Sequence, residues 1–147
     1  MNFFTRTDEF NRLVKALDHR TRPISVRGVI ESAKPFFLAC LAEKTARPVV
    51  FVRGLAGELG SFESACRFFL KEIGSELRAV SFPALFENPY FEVPPPLESV
   101  SARMSFFYDV LHRPPGIVVT NAAALLKPVP KPEEISSYFF RIDVGAE

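Results

Sequence analysis

The feature that most narrows the folds open to this chain is a set of short, unbroken apolar runs set between longer stretches with helical spacing. Val49-Val50-Phe51-Val52 and Ile117-Val118-Val119-Thr120 show no polar alternation and are bounded by Pro48 and Gly54 or by Pro115-Gly116. Runs of this kind, rich in β-branched residues, read as strands buried on both faces of a parallel sheet. Ile24–Val29 and Leu77–Phe82 read as two further strands. Tyr138, Phe140 and Ile142, alternating with Phe139, Arg141 and Asp143, suggest another over Ile135–Val144.

Between these runs the spacing changes. Over Thr7–His19, Phe10, Leu13, Val14 and Leu17 fall on one helical face, with Thr7 as N-cap and Asp8 and Glu9 at the positive end. A second helix opens near Ser32–Pro35 and runs to about Lys44, its Phe36, Phe37, Leu38, Cys40 and Leu41 almost continuously apolar. A third, from Leu59 or Ser61 to Ile73, ends at Gly74 in the usual place for a helix stop. Glu98–His112 is a fourth, and Asn121–Leu126 a short alanine-rich one. The alternation predicts an α/β domain with a mainly parallel sheet of about four or five strands flanked by helices. Its ligands should gather at the carboxyl ends of the strands, near Gly28, Gly54, the loop after Pro83 and Thr120.

One strand-loop-helix unit can be tested against a chemical pattern. Laid on the phosphate-loop sequence G-x-x-x-x-G-K-[ST], residues 28–35 supply Gly28, Ala33, Lys34 and Pro35. Two of the four defining positions depart. A Cβ at Ala33 crowds the path by which bare backbone amides curl around a phosphate, and Pro35 replaces the hydroxyl that would hold Mg²⁺ while removing an N–H. Proline is nonetheless well suited to a first helical turn, so the architecture survives without its ligand chemistry. Without a ligand, Gly28 is a turn glycine and Lys34 a solvated lysine. Gly54, Gly57 and Gly60 do not have the dinucleotide-fingerprint spacing.

Composition narrows the function classes. With 147 residues, 48% apolar and 24% charged, the chain is expected to be one soluble globular domain, and a net charge of +1 supplies no global field toward nucleic acid or membrane. Cys40 and Cys66 lie among apolar neighbours without metal-ligand spacing, as reduced core thiols would, and the opening Met1–Arg6 lacks export features. The expectation is a cytoplasmic protein. His19 and His112 each fall at a predicted helix C-terminus, where the dipole favours a structural role, and neither Ser32 nor Glu31 has a catalytic mate suggested by spacing. No catalytic residue, metal or cofactor is therefore assigned. Two oddities remain. Sixteen phenylalanines (with no tryptophan) include five adjacent pairs, which widen a helix's apolar face and require cover on two sides or docking, and thirteen prolines crowd the second half. The stretch from Pro83 to Leu97 is long and aperiodic, as functional or interface loops often are.

Several ordered pieces carry a resemblance. They are Asn88-Pro89-Tyr90-Phe91-Glu92, then Pro95-Pro96-Leu97-Glu98-Ser99-Val100-Ser101-Ala102-Arg103-Met104, Ile117-Val118-Val119-Thr120 with Ala124-Leu125-Leu126 and Pro128–Pro130, and Phe140–Gly145. In order and spacing they resemble the N-terminal region of bacterial transcription-repair coupling factors (the Mfd family), the part similar to the excision-repair helicase subunit UvrB. The inserted Phe91 and the triple proline depart from the family wording. The resemblance implies a P-loop NTPase/RecA-like topology with a degenerate phosphate loop. It implies an N-terminal helix over 1–20, a UvrB-like α/β domain over 21–135, and the start of the following region over 136–147. It also implies a non-catalytic scaffold for DNA repair, contacting other domains of the same full-length protein, with Tyr90, Phe91, Glu92 and Arg103 as a candidate interaction surface. The ATP-driven motor, and the contacts with RNA polymerase and excision-repair proteins, would lie in regions beyond Glu147. The alternatives are a small phosphate-loop nucleotide-binding enzyme, kinase-like, using Lys34, and an interaction domain of unrelated ancestry. No DNA site and no membrane contact are expected.

Overall fold

Strand β3 (Ile117–Asn121) occupies the middle of an all-parallel sheet, with β1 (Val49–Arg53) on one side and β2 (Ala79–Phe82) on the other. The computed structural model describes residues 4–19, 23–54, 59–85 and 94–140. Within these residues the chain is a small mixed α/β domain with a three-stranded parallel sheet flanked by helices. Both outer strands take the same register, Val49 and Ala79 each opposite Ile117. Gly116 secures it by donating its N–H to Arg78 O at 2.9 Å and accepting from Val49 N–H at 2.8 Å.

The side chains alternate between two layers. Val49, Phe51, Ala79, Ile117 and Val119 face α2 (Lys34–Thr45) and α3 (Leu59–Glu72), forming a core with Leu38, Ala39, Ala42, Phe62, Cys66 and Leu70. The second cluster joins Phe82 and Val118 to Phe107 of α4 (Leu97–His112), Ala124 of α5 (Ala122–Leu125) and Ile135 of α6 (Pro132–Ser137). Helix α1 (Asp8–Asp18) attaches through aromatic contacts: Phe10 lies 5.2 Å from Phe4 and 6.4 Å from Phe37. No helix among the described residues is long and apolar enough to cross a membrane.

Local signals account for the helix ends. The Thr7 hydroxyl accepts the Phe10 N–H and so caps α1. Helix α3 stops in a Schellman motif, Ser75 N–H to Leu70 O and Gly74 N–H to Lys71 O, with Gly74 at φ +72°. The Asn121 side chain accepts the Ala124 N–H at 2.8 Å and turns β3 directly into α5.

Among the described residues two expected strands do not form and a third differs in burial. Residues 24–29 join no ladder: Gly28 at φ +85° breaks the run, and Ile24 and Val26 remain exposed, so β propensity finds no face to pack on. Residues 135–137 are helical, because Pro132 opens α6 and the Glu134 carboxylate accepts the Lys131 N–H, while Ile135 buries against α4. Of the rest of that expected strand, 138–140 join no ladder and 141–144 lie outside the described residues. Among the described residues strand β1 lies at the sheet edge, half-buried on one face and exposed at Val50 and Val52 on the other.

A methyl group added at Gly116 would meet Leu77 Cβ at 2.8 Å, whereas one at Gly60 meets nothing within 4 Å. Urea unfolding should therefore show Gly116→Ala destabilised by about 1–3 kcal/mol and Gly60→Ala unchanged or slightly stabilised. Burial, reinforced by the Glu63 charge, pushes the Cys66 thiol up to about 12 from 9.0. The unfolded thiol ionises first as pH rises, so stability should fall between those values, by at most about 1.4 kcal/mol per pH unit. Cys40 and Cys66 should both be silent to a thiol reagent at pH 8 until urea is added.

Candidate functional site

The start of α2 is where the phosphate-loop reading places a ligand, and its local structure follows from Glu31 to Pro35. Glu31–Ala33 form one 3-10 turn that runs straight into the helix. Ala33 takes a right-handed conformation, φ −89°, and donates its N–H to Ile30 O at 3.0 Å. Lys34 donates its N–H to Glu31 O. Pro35, buried at the second helical position, has no N–H to offer. The Ala33 and Lys34 amides are thus used within the turn, and Pro35 has none to present to an anion. Gly28 lies three residues before this turn, at a bend with φ +85°, near Phe10 and Leu13 of α1.

The side chains of the turn are paired as well. The Glu31 carboxylate accepts from Lys34 Nζ on one oxygen and, at 3.1 Å, from Arg53 Nη2 on the other. Arg53 is the last residue of β1, and its guanidinium lies 5.0 Å from the centroid of Phe62, whose ring stacks on Phe51 at 4.6 Å. The cluster therefore ties the helix start to the carboxyl end of β1 and to α3. The hydrogen bond from Lys34 outweighs the opposing desolvation and, with the Lys34 and Arg53 charges, holds the Glu31 carboxyl below its ordinary value. An internal carboxylate engages the lysine that a nucleotide would need.

The remaining candidates disperse. Tyr90, Phe91 and Glu92 lie outside the described residues. Arg103, expected on the same surface, is inside the fold: it is 5% exposed, its guanidinium sits 4.1 Å from the Phe82 ring centroid, and it donates to Pro83 O at 3.0 Å. It positions the exit of β2. His112 is the last residue of α4, its ring stacked on Tyr108 at 4.1 Å and its Nδ1 2.9 Å from Tyr108 O, and His19 follows the end of α1. No three His, Cys, Asp or Glu side chains among the described residues are grouped as a metal ion requires.

The partnership of Glu31 with Arg53 was not read from the sequence. Its i,i+3 spacing to Lys34 could have revealed half of it, but Arg53 is 22 residues away and meets Glu31 only in three dimensions. Comparison of the chain with protein-family models, with curated proteins and with solved structures gave no match.

In an NMR pH titration the Glu31 carboxyl should titrate below the ordinary glutamate value of 4.5, and Lys34→Ala should raise it. Because the folded value is depressed, the contribution to stability is present above the unfolded pKa and lost as pH falls through the folded one.

Proposed function

We propose that this chain is a non-catalytic α/β module that works through contact with other protein surfaces, the role implied by its resemblance to the UvrB-like region of transcription-repair coupling factors. The observation that carries this reading is the closed start of α2. Ala33 and Lys34 amides are spent in the 3-10 turn, Pro35 has none, and Lys34 is engaged by Glu31. On this reading residues 24–46 correspond to the segment that holds the phosphate loop in P-loop NTPase/RecA-like domains, kept here as a packing unit. Coupling of stalled RNA polymerase to excision repair, and ATP-driven translocation, belong to other regions of a full-length protein. The paired phenylalanines support an architectural role: Phe36 reaches Phe4 and Phe69 while its neighbour Phe37 reaches Phe10, so one helix joins α1 and α3.

Calorimetric titration with ATP and Mg²⁺ tests the reading. Neither the wild-type chain nor Lys34→Ala should show saturable binding tighter than about 1 mM. Binding lost in Lys34→Ala would overturn the proposal and move the chain to the small phosphate-loop enzymes.

A further inference from the structure

We draw no further inference here: the strongest candidate, the apolar groove between α4 and the face of the sheet that carries Val50 and Val118, carries nothing because nothing among the described residues shows what covers it.

Discussion

The fold depends on β3 having both of its edges occupied. Through Gly116 and Ile117 the N-terminal end of that strand receives Arg78 O on one side and Val49 N–H on the other, so one short segment sets the register of the whole sheet. Ile117, Val119 and Thr120 are fully buried as a result, and each large apolar side chain so placed contributes roughly 1.5–3 kcal/mol relative to exposure. The close approach of Leu77 to Gly116 comes with this arrangement, since the chain entering β2 must pass directly over the start of β3. Neither layer of helices would have a floor without that strand.

The helices are attached largely by phenylalanine. Phe36-Phe37 spans from α1 to α3, and Phe106-Phe107 closes on Phe82 from α4, with Arg103 stacked against the same ring. Adjacent aromatic residues on a helix point about 100° apart, and two packed directions per helix are what a three-layer domain needs. The expectation that paired phenylalanines require cover on two sides is met at residues 36–37. Phe68 beside Phe69 behaves differently: Phe69 packs against Phe36 while Phe68 remains 56% exposed.

Periodicity in the sequence identified α1 to α4 and the three strands of the sheet closely, because each pairs an apolar pattern with an independent stop signal such as Pro48, Gly74 or Pro83. It failed where local preference and tertiary opportunity disagree. Ile24 to Val29 has strand-forming residues without a surface that would reward pairing, and Pro132 with Glu133 and Glu134 outweighed the alternation that begins at Ile135. An uninterrupted apolar run also cannot distinguish a central strand from an edge strand with one bare face, and β1 was misread for that reason. At the candidate site Gly28, Lys34 and Pro35 were legible. The Glu31–Arg53 contact and the burial of Arg103 depend on residues far apart in the chain.

The two ends of this partial legibility meet on β1. Its odd-numbered residues, Val49, Phe51 and Arg53, face α3, and there the only charge, Arg53, is matched by Glu31 and rests over an aromatic ring. Its even-numbered residues, Val50 and Val52, face the opposite way and remain exposed among the described residues. A strand whose charged end is paired with Glu31 and whose second face is apolar offers surface that gains free energy on being covered. In this chain the carboxyl end of β1 is tied to α2 and α3, and the strand's exposed apolar surface lies on its other face.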